Sequence, residues 1–167
     1  MKLEELKLKI VDSNFKNYLT FYSKIVDTLE NKSWLGLFNE DKIKNLLDNN
    51  GKIWIWLKNN EIVCSIMYID ANQEALDKFM LNDYNVNEVG ECGTVLVNEN
   101  YRGNGLQLQM LDFLEEYAKK LNKKYILTTV HPDNSYSIKN FEEKGYILKN
   151  VFDLNRGKRN LYIKEIQ

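Results

Sequence analysis

The sequence has few of the residues from which most metal and redox centres are built. The 167-residue chain contains one histidine, His131, one proline and two cysteines, Cys64 and Cys92. A single histidine excludes a multi-histidine metal site, and the cysteines have neither zinc-site nor CxxC spacing. We therefore interpret both cysteines as small buried hydrophobic residues and His131 as a structural or turn residue, and we expect no metal.

The chain also lacks a strong net charge and a long apolar run. Lysine and arginine (23) nearly balance aspartate and glutamate (24), giving a formal charge of -1, so no global field favours a nucleic-acid partner. The apolar runs have the length of strands, which argues against a membrane partner, and the first ten residues alternate in polarity instead of forming a signal-peptide core. We expect a soluble, cytoplasmic protein.

The length predicts a single domain over residues 1–167. Hydrophobic periodicity indicates seven strands and four helices. The predicted strands are 3–11, 52–57, 61–70, 91–97, 125–130, 146–154 and 160–166, and the predicted helices are 14–29, 40–48, 104–121 and 135–144. Within the long connection before the fourth strand, only 74–81 has helical character. Asp12 or Ser13 is expected to cap the first helix, and Asn39 the second.

Two connecting segments have more apolar character or length than a simple turn needs. Segment 31–38 contains Trp34, Leu35, Leu37 and Phe38, which either cover the core or form a wall of a substrate pocket. Segment 71–90 is long for a connection inside a compact domain, and such connections are usually functional or mobile. It is a second candidate for substrate contacts.

A glycine-rich turn separates the fourth predicted strand from the helix at 104–121. Its residues are Arg102, Gly103, Asn104, Gly105, Leu106 and Gln107. Glycines at such a turn let a ligand approach the backbone, and free N–H groups at the helix start favour an anion. The turn therefore predicts a phosphate cradle, although many turns of this kind bind nothing.

The order of elements predicts an α/β fold of the α+β type. The strand-helix-strand-helix unit in the middle of the chain favours parallel pairing there, and antiparallel hairpins flank it. We expect a mixed, mostly antiparallel central sheet of about seven strands with helices on both faces.

These residues resemble the GNAT superfamily of N-acetyltransferases. The Arg102 to Gln107 turn is similar to the family's Gln/Arg-x-x-Gly-x-Gly/Ala signature, with Gln107 at the last small position. Asn134, Ser137, Phe141, Gly145 and Tyr146 stand at the spacing of the second signature, with Phe141 in place of a tyrosine. The resemblance implies a splayed parallel strand pair whose cleft binds acetyl-CoA as co-substrate.

The resemblance also implies roles for individual residues. The backbone of Gly103 to Gln107 would hold the pyrophosphate, and the free edge of Val95 to Val97 would pair with the pantetheine arm. An N–H group near Leu96 or Val97 would polarise the thioester carbonyl. Asn134 would bond to the pantetheine amide, and Ser137 and Phe141 would line the thiol end. The implied cofactor residues are Val95, Leu96, Val97, Arg102, Gly103, Asn104, Gly105, Leu106, Gln107, Asn134, Ser137 and Phe141.

Two residues are candidates for catalysis. Attack on a thioester needs a neutral amine and hence a base, and Glu91 stands where histone-type family members have a glutamate. The alternative for Glu91 is a solvated carboxylate at the start of a strand. Phe141 cannot donate a proton to the leaving thiolate, which leaves Tyr136 or water, and Tyr136 is otherwise a surface tyrosine.

The resemblance therefore implies an acetyl-CoA-dependent N-acetyltransferase that acts directly on a primary amine. The acceptor is a small amine, an amino-terminus or a lysine. The alternative is a catalytically weak CoA or acyl-CoA-binding sensor or structural module. A dinucleotide-binding oxidoreductase is disfavoured because the chain has one late GxG in place of an early G-x-G-x-x-G. The apolar residues of 34–38 and of the final strand make a homodimer possible.

Overall fold

One seven-stranded sheet runs through the computed structural model, which describes residues 1–36 and 38–167. Its order is β1-β2-β3-β4-β5-β7-β6, and all described neighbours are antiparallel except β4 and β5. This confirms the predicted mixed, mostly antiparallel sheet. The strands are β1 (Lys7–Ile10), β2 (Gly51–Lys58), β3 (Glu61–Asp70), β4 (Val89–Val97), β5 (Tyr125–Val130), β6 (Ile147–Leu154) and β7 (Gly157–Glu165).

Helices cover both faces of the sheet, as predicted. They are α1 (Lys16–Thr28), α2 (Glu40–Asn49), α3 (Gln73–Lys78), α4 (Leu106–Lys120) and α5 (Ser135–Glu143). On one face, Met110 and Leu114 of α4 pack with Phe141 of α5 in the largest buried cluster. On the other face, α1 and α2 pack over Ile53 and Met67, and α3 packs beside them over Leu127.

The first predicted strand is shorter and more exposed than the sequence indicated. Residues Leu3–Glu5 form a 3-10 turn, and β1 covers only four residues, all of them exposed. Leu8 and Ile10 are 45% and 57% exposed. The prediction of a strand over 3–11 therefore holds only for residues 7–10, and alternation identifies an apolar face but not whether a helix covers it at the sheet edge.

The helix ends agree only in part with the predicted caps. Neither Asp12 nor Ser13 caps α1, whose N-cap is Phe15 without a side-chain bond. The Asp12 carboxylate instead accepts from the Asn14 N–H at 2.9 Å. Asn39 caps α2 as expected, because its side chain accepts from the Lys42 N–H at 2.9 Å.

Candidate active site

The parallel strands β4 and β5 pair over three residues and then separate. The pairs are Val89 with Tyr125, Gly90 with Ile126, and Glu91 with Leu127. Beyond Glu91, β4 continues to Val97 paired with β3 alone. Just past the last pair, the Thr128 hydroxyl of β5 donates to the Cys92 carbonyl of β4 at 2.9 Å. This bond joins the two strands at the point from which they separate. Glu91 therefore lies where the splay begins.

A β-bulge in β4 determines which side chains face which helices. Ile66 of β3 pairs with Val95, but Tyr68 pairs with Cys92, so β4 carries one extra residue over this interval. As a result, Cys92 and Val95 both pack on the α4 face. Glu91 lies on the opposite face, where its cross-strand neighbours, Ile69 and Leu127, pack with α1 and α3.

The free edge of β4 presents backbone groups to the splay. The Asn98 N–H donates to the Val63 carbonyl of β3 at 2.9 Å. Backbone groups of successive residues in an antiparallel strand point to alternate sides, so Leu96 also faces β3. The N–H and C=O groups of Val95 and Val97 consequently face the splay, where an extended ligand could pair with them.

A cavity of about 680 Å³ occupies the splay, and we call it the β4 cavity. Val95, Leu96 and Val97 form its floor. The end of α1 and the segment after it form one wall, and the glycine-rich turn and the start of α5 form the others. The cavity has the size of a small-molecule site.

The glycine-rich turn leaves room for a ligand against its backbone. Gly103 and Gly105 have φ angles of +79° and +67°, and a Cβ at either position would meet no other atom within 4 Å. Gly105 is the N-cap of α4 and supplies no side-chain bond, whereas asparagine side chains cap α2, α3 and α5. The first turn of α4 also contains no acidic residue. Its free N–H groups and dipole therefore favour an anion at this end of the cavity.

Gln107 ties the start of α4 to α5 across the cavity. Its amide donates to the Ser137 hydroxyl at 3.2 Å and accepts from the Asn140 amide at 2.9 Å. Asn134 caps α5 by accepting from the Ser137 N–H at 3.1 Å, which orients its side chain. These bonds fix the wall formed by α5.

Arg102 reaches across the cavity from the glycine-rich turn. Its guanidinium donates to the Thr28 hydroxyl at the end of α1 at 3.3 Å. Both residues line the β4 cavity. Arg102 thus adds a positive charge beside the anion-favouring start of α4.

Most of the predicted cofactor residues line this one cavity. Two do not, Asn104 and Phe141. The Asn104 side chain donates to the Tyr101 and Arg102 carbonyls and so stabilises the turn. Phe141 is buried in the core against the Tyr146 ring, with centroids 5.0 Å apart, instead of lining a thiol site. The lining includes Val95, Leu96, Val97, Arg102, Gly103, Gly105, Leu106, Gln107, Asn134 and Ser137.

The two predicted catalytic residues lie in different surroundings. Tyr136 lines the cavity from the first turn of α5 and is 69% exposed. Glu91 lies outside the cavity lining and is partly buried at the vertex of the splay. Burial raises the pKa of the Glu91 carboxyl to about 7, and the charges of Arg156 and Lys78 act in the opposite direction. Near neutral pH, such a carboxyl can both accept and release a proton.

Arg156 acts electrostatically on both Glu91 and Tyr22 of α1, and the sequence singled out neither Arg156 nor Tyr22 for function. Burial raises the pKa of Tyr22 to about 12, with Thr94 and Arg156 acting against this rise. The Tyr22 hydroxyl donates to the Gly36 carbonyl. The helical period of α1 predicts Tyr22 only as a core residue, and Arg156 belongs to a turn that carries no motif.

Both unusual connecting segments reach the site. Trp34 and Leu35 line the β4 cavity. Leu35 also packs with Phe38 on the core cluster of α1 and α2, so this segment both covers the core and forms a cavity wall. Leu37, named in the same prediction, lies outside the described residues. In segment 71–90, α3 brings the Lys78 charge to Glu91.

Within residues 1–36 and 38–167, no group of three or more histidine, cysteine, aspartate or glutamate side chains could hold a metal ion. In the same part of the chain, no helix is long and apolar enough to cross a bilayer. The two cysteines are free and buried, as the sequence predicted.

The family model described as the acetyltransferase (GNAT) family matches residues 15–146. No curated protein sequence gives a match. An N-acetyltransferase from Staphylococcus aureus Mu50 superposes with a TM-score of 0.73 at 12% identity, covering 97% of this chain and 99% of that one.

Two further solved structures contain ligands. The NatC complex bound to Gag peptide and CoA has a TM-score of 0.72 at 17% identity, with 99% of each chain covered. The yncA protein from Salmonella typhimurium, a putative acetyltransferase with its cofactor acetyl-CoA, has a TM-score of 0.69 at 14% identity, covering 97% of this chain and 94% of that one. The family match spans most of the chain and includes the splay, the glycine-rich turn and α5. This protein belongs to the GNAT family of acetyltransferases.

Proposed function

We propose that this protein is an acetyl-CoA-dependent N-acetyltransferase that transfers an acetyl group directly to a primary amine. The observation that carries the proposal is the β4 cavity, in which the free edge of β4 and the uncapped start of α4 face the same space. The acceptor is a small amine, an amino-terminus or a lysine. The NatC and yncA structures, which contain CoA or acetyl-CoA, support the choice of co-substrate.

The residues of the cavity fit an acyl-CoA. The open space at Gly103 and Gly105 and the dipole of α4 suit a pyrophosphate. Arg102 adds charge there, and the edge groups of Val95 and Val97 suit an amide-containing arm. The amide of Asn134, oriented by its capping bond, is available to donate to the same arm.

When bound, acetyl-CoA supplies an electrophilic thioester carbon and a thiolate leaving group. The Val97 N–H donates to the thioester oxygen and stabilises the negative charge that develops on it during attack. Glu91 takes the proton of the incoming amine. Because Glu91 lies outside the cavity lining, this proton passes through an intervening water or hydroxyl. Tyr136, which lines the cavity wall, protonates the thiolate.

The second candidate function is a CoA or acyl-CoA-binding module with little turnover. The burial of Phe141 favours it, because the position where family members have a tyrosine contributes neither a hydroxyl nor a surface to the cavity. For efficient transfer, the Tyr136 hydroxyl has to reach the thiol and supply the proton that Phe141 cannot.

Two measurements on the full chain test the proposal. Thermal unfolding with and without acetyl-CoA tests binding, because a ligand at a hundred times its Kd stabilises by about 2.7 kcal/mol. Release of free CoA thiol in the presence of a mixed amine pool then tests turnover. Stabilisation with amine-dependent thiol release supports the enzyme, and stabilisation without release supports the binding module. The absence of stabilisation would overturn both.

A further inference from the structure

Positive charge converges on the sheet face at Glu91. The Arg156 guanidinium lies at the tip of the β6–β7 hairpin and donates to the Thr129 hydroxyl of β5 at 3.1 Å. Thr129 and Leu127 are two residues apart in β5, so they share a face with Glu91, which pairs with Leu127. Arg156 also acts electrostatically on Glu91 and Tyr22.

A second guanidinium lies beside the first. Arg159 of β7 is almost fully buried and donates to the carbonyls of Ser33 and Lys158. Burial lowers the pKa of Arg159, and the charge of Arg156 lowers it further. Lys78 of α3 also acts electrostatically on Glu91. The described salt bridges include none of these three cations.

Arg156 differs from Arg159 in being free to bind a ligand. Its side chain is exposed, and the described residues provide it with one hydrogen bond, to Thr129. A guanidinium presents its N–H donors in a fixed fork that matches the two oxygens of a carboxylate. Segment 34–36, which continues from the wall of the β4 cavity, approaches it closely, because a Cβ at Gly36 would come within 2.7 Å of Arg156 Nη1.

These charges discriminate between acceptor amines. Beside Glu91, which lies apart from the Glu30 and Glu143 carboxylates of the β4 cavity lining, an acceptor with only an ammonium group would be attracted by one partly buried carboxylate and repelled by Arg156 and Lys78. An acceptor that also carries a carboxylate would neutralise part of this surplus. The acidic residues Glu40, Asp41 and Glu74 lie in the first turns of α2 and α3, where they complement the helix dipoles.

We infer that the acceptor is an amine that carries a carboxylate within a few bonds of its nitrogen, and that Arg156 is the residue that selects it. This inference rests on the proposed acetyl transfer. The oxygens of the acceptor carboxylate accept hydrogen bonds from the Arg156 guanidinium, which then no longer donates to the Thr129 hydroxyl. Its amine then points along the sheet face to Glu91 and the β4 cavity.

The first test is binding. The chain has three arginines, Arg102, Arg156 and Arg159, so an NMR spectrum contains few arginine Nε–Hε signals. The signal that is lost in Arg156→Gln belongs to Arg156. Standard amino acids, diglycine and the matching carboxyl amides are titrated one at a time into the CoA-saturated protein. We expect at least one carboxylate to shift the Arg156 signal saturably while its amide does not. Diglycine tests whether a peptide carboxylate serves as well as a free amino acid.

The second test is turnover with the same compounds. We expect kcat/KM for the selected carboxylate to exceed that of its amide by about ten- to a hundredfold, as for a charged hydrogen bond. Arg156→Gln should remove this preference while leaving acetyl-CoA affinity unchanged, and Arg156→Lys should restore part of it. The matched control is Lys158→Gln, which removes an exposed charge from the same hairpin and should keep the preference.

The two tests separate the inference from the proposed function. If carboxylates shift the Arg156 signal selectively but no compound causes release of CoA thiol, the anion site at Arg156 stands and the proposed transferase activity is overturned. Thiol release that is equal for carboxylates and amides, or a preference that survives Arg156→Gln, would overturn the inference alone. No selective shift and no release would overturn both.

Discussion

Glu91 combines three properties that a strand residue rarely has together. It is the last β4 residue paired with β5, its carboxyl is partly buried, and it faces the charges of Arg156 and Lys78. Burial is the larger effect, so the pKa rises to about 7 in spite of the two cations. These properties favour the interpretation of Glu91 as a base over that of a solvated carboxylate, and its base function remains a proposal.

The kinetic prediction for Glu91 concerns its pH dependence. If Glu91 is the base, wild-type kcat/KM rises with pH through about 7 as the carboxyl ionises. Glu91→Gln should remove this rise and lower turnover more at pH 7 than at pH 9, because at pH 9 more of the amine is already neutral. Steady-state rates across this range measure the effect. Glu88→Gln is the matched control, and an unchanged profile in Glu91→Gln would eliminate Glu91 as the base.

Tyr136 provides a second prediction at this scale. Because thiolates leave tolerably well without help, Tyr136→Phe should lower kcat by no more than about a hundredfold, the low end for general acid catalysis. The Kd for acetyl-CoA should not change, because the ring that lines the cavity is retained. Stopped-flow thiol release and calorimetry measure the two quantities. Wild-type kcat in Tyr136→Phe would assign the proton to water.

At the scale of elements, α4 and α1 are the two helices whose N-caps supply no side-chain bond, and only α4 begins with a glycine. Asparagines close the starts of α2, α3 and α5, but Gly105 gives α4 a left-handed N-cap with free N–H groups. Glycine adopts the φ of +67° at this position without the strain that a side chain would add. The start of α4 therefore has no side-chain capping bond, and its backbone N–H groups are free to bind an anion.

We predict that Gly105→Asp abolishes CoA binding, because it places a carboxylate where the pyrophosphate would lie. Calorimetry with CoA measures the loss. Gly145→Ala is a suitable control, since Gly145 also has a left-handed φ, +81°, but does not line the cavity. The control should cost about 1–2 kcal/mol of stability and keep its CoA affinity. Wild-type affinity in Gly105→Asp would contradict the cradle.

At the scale of the whole molecule, the raised pKa of Glu91 makes the free energy of unfolding depend on pH. Below pH 4.5 the carboxyl is protonated in both the folded and the unfolded chain. Between pH 4.5 and about 7 the unfolded chain ionises first, so this group's contribution to stability is lost as the pH rises.

Glu91→Gln should therefore gain stability relative to wild type as the pH increases. We expect the difference between the two proteins to change by up to about 3 kcal/mol from pH 4.5 to pH 8, in favour of the variant. Urea unfolding at several pH values measures it. Glu165→Gln, which removes an exposed carboxylate from β7, should show no such trend. A difference that is constant with pH would mean that Glu91 ionises normally in the folded protein.

The sequence by itself determined the elements and the motif. Strong periodicity fixed β3 at 61–70 and β5 at 125–130 as observed, and the glycine-rich turn identified the anion-favouring start of α4. These features depend on local chemistry, namely side-chain alternation, backbone freedom at glycine and helix-end N–H groups. The glycine-rich turn allowed its own residues to be placed at the cavity, because a short motif determines the backbone geometry of the few positions that it covers.

Only the tertiary structure decided what surrounds Glu91 and what faces the cavity. Arg156, which acts electrostatically on Glu91, is 65 residues away from it in the chain, and no local pattern links the two. Phe141 occupies the motif position but points into the core, because the period of α5 places it against Tyr146. Burial and long-range electrostatics arise only when distant segments pack, so the pKa of Glu91 and the surplus of positive charge beside it could not be obtained from the sequence.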